Sequence, residues 1–588
     1  MNTFYTTERN VQIVIALLKH HNIRKVVASP GTTNITFVAS IQQDPFFQIY
    51  SSVDERSAAY IACGMAEESG EPVVLTCTGA TASRNYFPGL TEAFYRKLPI
   101  LAVTATRYEG TVGQMINQVI DRSQQPLDTR VYHVSLPPVW SPQEEHNCEI
   151  KANEALLALR RHGGGPVHIN LATTYCKDFS VKELPSCQII DRITSDDIFP
   201  SIPNGRIGIY CGAHSEWAPK LIEAVETFCK IYNAVVFVDH TSGYRGKYAC
   251  LFPLITGQKN VNKSELNLDL FIHIGHVSGS GLGLGSKVTW RINEDGEIRD
   301  MNHNLRYVFE MTEEKFFSRY CEGKKITGDD SFIYYCKELY NCIYDGLPEV
   351  PFSYYYCAKK MAPKIPDGSV VFLGIYNSLR SFNYFEWPLS VRGYSNVGGF
   401  GIDGGNSSMI GASLVHPDKL YFSVLGDLGF FYDLNSIGNH HVGNNIRILM
   451  FNNGKGAEFR LYSHMASMFA DEDADKYIAA AGHYGNMSPN LVRHYAEDLG
   501  FEYMTASSKE EFEKVCERFL IPNVTDKPML FEVFTDSHDD SEALKLTNSS
   551  NYSNKSSIDS VKDSAKSTLK NLLGKNAIST AKKLIGNK

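Results

Sequence analysis

The chain has 588 residues, 43% of them hydrophobic and 21% charged, and a formal net charge of −8. That length is too great for one hydrophobic core and suits about three domains, while the acidic balance excludes a general nucleic-acid binder. Thirteen cysteines are scattered with no C-x-x-C pair, which argues against zinc or a disulfide framework and for a reducing compartment.

At the N-terminus, MNTFYTTERNVQIVIALLKHHNI reads as an amphipathic helix without a basic n-region or cleavage site, so no signal peptide is expected. No apolar run reaches the roughly 20 residues of a membrane span; the expected location is cytoplasmic. The runs KVVASPG (25–31), QIYSSVDE (48–55), PVVLTCTG (72–79), PILAVTAT (99–106) and GPVHINLA (165–172) read as buried strands. Helical stretches such as ERSAAYIACGMAEESG lie between several of them. Such alternation predicts a parallel sheet with helices on both faces, where ligands bind beyond the carboxyl ends of strands. RIGIYCG, NAVVFVDH and LDLFIHIGH predict a second α/β segment, and SVVFLG, LYFSVLGD, IRILMFNNG and PMLFEVFTD a third. The expected fold class is α/β: three doubly wound parallel-sheet domains over 1–185, 190–345 and 350–545, then a disordered or amphipathic tail over 546–588. The glycine-rich HVSGSGLGLGSK (276–287) reads as a loop, because G-x-G-x-x-G does not follow a strand in the way a nucleotide site requires.

The tail opens with LTNSSNYSNKSSIDS, a disordered composition. It ends in VKDSAKSTLKNLLGKNAISTAKKLIGNK, where apolar residues fall on one helical face. Residues 551–588 hold eight Lys and two Asp. A basic amphipathic helix can touch an anionic membrane surface or a partner; a solvated tail with no specific role is the plainer reading.

The chemistry concentrates in GDLGFFYDLNSIGNHHVGNNIRILMFNNGKG, Gly426 to Gly456. Gly-Asp follows one apolar run and Asn-Asn-Gly follows the next. A magnesium ion takes about six oxygens in octahedral geometry, commonly a few protein oxygens plus substrate phosphates. One carboxylate, one Asn carbonyl and one backbone carbonyl leave room for two phosphate oxygens and a water, and adjacent glycines let the backbone approach a diphosphate. Gly-Asp after a strand also caps many helices, so the pair of motifs, rather than either alone, carries the reading.

This spacing resembles the diphosphate–Mg²⁺ motif of thiamine diphosphate (ThDP) enzymes of the acetolactate synthase and pyruvate decarboxylase superfamily. GDL followed by YDLN is similar to the branch that makes 2-succinyl-5-enolpyruvyl-6-hydroxy-3-cyclohexene-1-carboxylate in the menaquinone pathway. The resemblance implies thiamine diphosphate and Mg²⁺ as cofactors, with Asp427, Asn453 and the Lys455 backbone carbonyl on the metal and Gly426 and Leu428 beside the diphosphate. The common motif has Gly where Leu428 stands. It implies that Glu55, at the end of QIYSSVDE, hydrogen-bonds N1′ of the aminopyrimidine. A carboxylate there favours the tautomer whose amino group can act as base; the plainer alternative is a glutamate favoured in a helix's first turn.

Further matches span about residues 10–545. SPGTTN supplies Pro30 and Gly31, CTGATASRNYFPGLTEAF supplies Thr78 and Asn85, and Asn117-Gln118 matches a cofactor-facing pair, with Gln118 catalytic. In SNVGGFGIDGG, Ile402 matches the bulky residue beneath the bent cofactor, or is ordinary core. His440, His441 and His464 are weighed as proton carriers, with His440 and His441 placed in a helix of the motif.

The resemblance breaks where the menaquinone enzyme has carboxylate-binding arginines. Thr33 and Val397 stand at those positions, and neither offers a charged bidentate fork. Arg380 and Arg392 lie nearby as partial replacements. The expected activity is ThDP- and Mg-dependent decarboxylation of a 2-keto acid donor with carboligation to an aldehyde, ketone or enone acceptor. The alternatives are the menaquinone-pathway synthase itself, a simple decarboxylase and a non-catalytic scaffold. The resemblance implies a homodimer or homotetramer with active sites at the subunit interface, and no nucleic-acid partner is expected.

Overall fold

In the computed structural model, residues 4–214, 217–326, 328–482 and 488–552 are described. The amphipathic helix expected near the C-terminus lies outside them. In chain order the strands are β1 (Lys25–Ala28), β2 (Gln48–Ser51), β3 (Val73–Thr78), β4 (Ile100–Thr106), β5 (Tyr132–Leu136), β6 (Val167–Ala172), β7 (Asp191–Ile193), β8 (Ile207–Cys211), β9 (Ala234–Val238), β10 (Ala249–Leu251), β11 (Leu270–Ile274), β12 (Thr289–Ile292), β13 (Leu305–Phe309), β14 (Val370–Leu373), β15 (Arg392–Tyr394), β16 (Tyr421–Gly426), β17 (Ile446–Asn452), β18 (Glu502–Ala506) and β19 (Met529–Phe534). They build three parallel sheets with helices between the strands, as the alternation predicted. The chain divides into two compact units, Met1–Phe199 with Thr289–Glu310, and Pro200–Val288 with Met311–Lys588.

The first unit holds the sheet β2-β1-β3-β4-β6-β5 and the strands β12-β13-β7. β3, β4 and β6 are buried almost throughout, because a parallel sheet is covered on both faces. Helix Arg9–His20 packs Val14, Leu17 and Leu18 into the core with Val103 and Ile169. Helix Glu55–Ser69 buries a stripe of small residues, Ala58, Ala59, Ala62 and Ala66. It approaches helix Phe87–Arg96 so closely that a Cβ on Gly89 would lie 2.5 Å from the Ala59 Cβ. QIYS departs from the expectation of a buried strand. β2 is the sheet's edge and is mostly exposed, because an edge strand has a neighbour on one side only.

The second unit holds the strands β10-β9-β8-β11 and the sheet β15-β14-β16-β17-β19-β18. β16 and β17 form its buried centre. Residues 546–550, expected to open the disordered tail, are instead packed. The Ser550 N–H donates to Gln258 Oε1 at 3.0 Å and its hydroxyl to the Ile343 carbonyl at 2.8 Å, so the polar composition serves hydrogen bonding rather than disorder.

Candidate active site

The site in the second unit begins with register. β16 and β17 are parallel, and Gly426 lies opposite Phe451. Asp427 and Asn453 therefore leave the carboxyl ends of neighbouring strands, which run about 4.8 Å apart. The Asp427 carboxylate is 5% exposed. Its Oδ1 accepts from the Leu428 N–H at 2.8 Å and its Oδ2 from the Gly454 N–H at 2.7 Å. Gly454 can aim that N–H because its φ is +73°, a conformation glycine adopts without strain. Burial pushes the Asp427 carboxyl up to about 7, and the two amides only partly offset it. Among the described residues it has no ion-pair partner, so a cation is the charge this environment lacks.

Asn453 is oriented from behind. Its Nδ2 donates to Asp540 Oδ2 at 3.3 Å and its Oδ1 accepts from the Lys455 N–H at 3.3 Å, which leaves the second lone pair of the amide oxygen available to a ligand. Asp540 is itself buried, accepting from the Tyr354 N–H at 3.0 Å and the Thr535 hydroxyl at 3.2 Å. Burial raises its carboxyl to about 7. The Lys455 ammonium pairs with Asp475 at 2.9 Å and so is held away from a diphosphate role, leaving the backbone carbonyl. This set of a carboxylate, an amide oxygen and a carbonyl could hold a hard divalent cation.

Asp427 and Lys455 line a cavity of 370 Å³ that also takes in Gly426, Leu428 and Ile402. Gly426 lets the backbone approach Tyr354, whose Oη would lie 3.0 Å from a Cβ there. Tyr354 is buried, stacked on Phe451 at 3.9 Å. His464 also lines the cavity. Its Nδ1 accepts from the Ala466 N–H at 3.1 Å, which puts the proton of the neutral ring on Nε2. His440 and His441 are exposed in a turn. They are not in a helix as expected, because the motif's helix ends at Tyr432 and the following 3₁₀ turn at Gly438.

The first unit gathers the other expected residues at one sheet edge. Ala28 of β1 lies opposite Ser51 of β2 and Thr76 of β3, so Pro30, Gly31, Glu55 and Thr78 all follow neighbouring strand ends. Pro30 and Gly31 line a cavity of 520 Å³. Gly31 is fixed by close approach, since its Cβ would lie 2.7 Å from the Thr78 Cβ. Glu55 opens helix Glu55–Ser69 behind an Asp54 cap. It is half-buried and has no hydrogen-bond or ion-pair partner among the described residues; burial raises the nearby Cys77 and Tyr86, and the Glu55 charge adds a smaller push to each. Asn85 ends a short helix and is exposed; Asn117 and Gln118 are exposed in a loop, Gln118 with φ +60°.

The positions that lack the expected arginines are closed to substrate. The Thr33 hydroxyl donates to the Ala105 carbonyl at 2.8 Å and bonds Thr78. Val397 is buried. Arg380 is occupied by Glu458. Sequence reasoning missed Asp540, Tyr354, Glu458, Tyr376 and Phe400. Phe400 stands in SNVGGFGIDGG beside Ile402 and could have been read there, whereas Asp540 and Glu458 reach Asn453 and Arg380 through pairings across the fold.

Residues 9–127 match the family described as thiamine pyrophosphate enzyme, N-terminal TPP binding domain. With three parallel α/β sheets, the chain is similar in this region to thiamine diphosphate-dependent enzymes. Three relatives match along nearly the whole length, each named 2-succinyl-5-enolpyruvyl-6-hydroxy-3-cyclohexene-1-carboxylate synthase. That of Bacteroides thetaiotaomicron is 28% identical over 566 residues, 92% of this chain and 98% of its own. That of Phocaeicola vulgatus is 28% identical over 576 residues, 92% and 98%. That of Christiangramia forsetii is 27% identical over 590 residues, 89% and 95%. Among the described residues no helix is long and apolar enough to cross a membrane.

Proposed function

We propose that this chain, with thiamine diphosphate and Mg²⁺, decarboxylates a 2-keto acid and joins the remaining acyl unit to a carbonyl or enone acceptor. The observation that carries the reading is the buried Asp427 carboxylate, with no ion-pair partner among the described residues, beside Asn453 at in-register strand ends. When bound, the cofactor supplies the electron sink for loss of CO₂. Asp427, Asn453 and the Lys455 carbonyl hold the metal, with Gly426 and Leu428 beside the diphosphate. Asp540 keeps the Asn453 oxygen turned outward, and Ile402 supports the cofactor from its cavity wall. Glu55 holds a proton at the aminopyrimidine ring nitrogen; its half-buried, unpaired carboxylate suits that role. Pro30, Gly31, Thr78, Asn85 and Asn117 complete the cofactor's surroundings, and Gln118 and His464 face the reacting atoms. Division of these residues between two units fits an active site shared by two copies of the chain, a dimer or tetramer. The 1–185, 190–345 and 350–545 boundaries describe the three domains. The basic tail is a solvated segment with no specific role or a contact for a membrane surface or partner, and deleting it without loss of turnover but with altered association assigns the second role.

The relatives' shared name supports a second reading, the menaquinone-pathway synthase, through matching coverage of nearly the full chains. Turnover of isochorismate with 2-oxoglutarate separates the two. The test of the first is calorimetric titration of thiamine diphosphate with Mg²⁺ into wild-type protein and Asp427→Ala, alongside CO₂ release from a panel of 2-keto acids. Metal-dependent binding lost in Asp427→Ala, with turnover lost but binding kept in Glu55→Gln, is the expected result. Absence of binding to the wild-type protein sinks the cofactor reading and leaves the scaffold alternative.

A further inference from the structure

A second chamber of 340 Å³ adjoins the cofactor cavity in the second unit; Tyr376, Phe400 and Glu458 line both. Tyr376 and Phe400 have φ of +65° and +55°. Bulky side chains rarely adopt that conformation, and such strain gathers at functional sites. Their rings meet edge to face with centroids 5.3 Å apart, and both stay partly exposed where the two cavities join. The backbone strain thus holds an aromatic pair at the junction rather than in the core.

Behind this pair stands an ion pair. Arg380 Nη1 donates to Glu458 Oε2 and Nη2 to Oε1, both at 2.9 Å, and Nη1 also donates to Asn377 Oδ1 at 2.9 Å. The guanidinium fork is therefore filled by a carboxylate of the chain itself. Lys455, which lines the cofactor cavity, is held by Asp475. Arg380 itself lines the chamber, and the wall also includes Thr256, Ser280, Leu379 and the loop glycines 279 and 281. A Cβ on Gly279 would lie 2.2 Å from Leu379 Cδ2, so that loop is pressed against the chamber wall.

We propose that this chamber receives the side chain of the 2-keto acid donor, and that it selects an uncharged one: Glu458, by filling the Arg380 fork, turns away a donor bearing a second carboxylate. The inference rests on the thiamine diphosphate reading. A second carboxylate would give up its hydration and meet a net-neutral pair, Arg380 and Glu458, both of which line the chamber; because Glu458 already fills the Arg380 fork, it gains no ion pair to offset desolvation. An uncharged side chain instead places its C–H groups on Tyr376 and Phe400, and any hydroxyl near Thr256 and Ser280. Glu458 is on this account the specificity-determining residue.

The test uses the full chain loaded with thiamine diphosphate and Mg²⁺. Acetylphosphonate and succinylphosphonate mimic a monocarboxylic and a dicarboxylic 2-keto acid but cannot lose CO₂, so calorimetry reads binding alone. The wild-type protein is expected to bind acetylphosphonate at least tenfold more tightly than succinylphosphonate. Glu458→Gln frees the Arg380 fork and is expected to shift that ratio at least tenfold toward succinylphosphonate. Glu458→Asp, which keeps a carboxylate on Arg380, is expected to retain the wild-type preference. Tighter succinylphosphonate binding by the wild-type protein overturns the proposal, as does failure of acetylphosphonate to bind or an unmoved ratio in folded Glu458→Gln. The wild-type ratio decides the matter by itself if that variant does not fold. A prior titration with thiamine diphosphate separates the two failures. Absence of cofactor binding defeats the underlying reading as well, whereas cofactor binding with the wrong phosphonate order defeats only the donor assignment.

Discussion

Replacing Asp540 by Asn tests whether a residue outside the metal set governs cofactor binding. Its two oxygens accept from three donors: the Tyr354 N–H on Oδ1, and Asn453 Nδ2 and the Thr535 hydroxyl on Oδ2. An amide has one oxygen. If that oxygen faces Tyr354, the new NH₂ meets the NH₂ of Asn453; if it faces Asn453, the NH₂ meets the Tyr354 N–H. Either way two donors face each other in a buried place. The easier escape is a flip of the Asn453 amide, which carries its oxygen away from the cavity. A buried hydrogen bond broken in this way costs about 1–3 kcal/mol, which converts to roughly 5- to 150-fold in affinity. The loss should appear as weaker Mg²⁺-dependent binding of thiamine diphosphate by calorimetry at pH 8, where the wild-type Asp540, raised to about 7, is ionised. Thermal stability should change little, because removing a buried charge offsets part of the lost hydrogen bonding. Cofactor affinity within threefold of wild type would show that Asp540 does not set the Asn453 orientation.

Gly454→Ala forces a Cβ onto a residue at φ +73° whose N–H bonds Asp427 at 2.7 Å. At about 1–2 kcal/mol for a left-handed non-glycine residue, cofactor affinity should fall about tenfold by the same calorimetry; an unchanged value would mean that the turn relaxes without moving that N–H. Gly31→Ala brings a Cβ to 2.7 Å from the Thr78 Cβ and should lower the melting temperature, a wild-type melt being the contrary result. Acid should destabilise the first unit. Burial, ahead of neighbouring charges, holds His21 and His133 down at about 4, below the 6.5 of an unfolded histidine. Between these values the unfolded chain binds more protons, so stability is complete above pH 6.5 and is lost as pH falls toward 4. The loss is on the order of 3 kcal/mol for His21 and less for the more exposed His133, which solvent screens. Denaturant midpoints that stay level from pH 7 to pH 4.5 would contradict the burial of these rings.

The candidate site was legible in part because two of its anchors sit where local sequence announces them. YFSVL before Gly-Asp and IRILMF before Asn-Asn-Gly are apolar runs long enough for a buried parallel strand, and the chemistry follows each directly. Glu55 follows a shorter run in the same way. A strand's end can be read from one stretch of chain, and so Asp427, Asn453 and Glu55 could be named.

What the sequence by itself determined was therefore the strand–helix alternation, the parallel class and the residues at strand ends, since each depends on neighbours a few positions away. The tertiary structure decided which strands are edges, so that QIYS became an exposed border instead of a buried strand. It also decided which distant side chains meet. Asp540 reaches Asn453 across 87 residues and Glu458 reaches Arg380 across 78, and no local pattern encodes a contact made at such separation. Arg380, read from the sequence as a partial replacement for a missing substrate-binding arginine, is in the fold already closed by a carboxylate, because charge pairing is settled by proximity in space rather than by order along the chain.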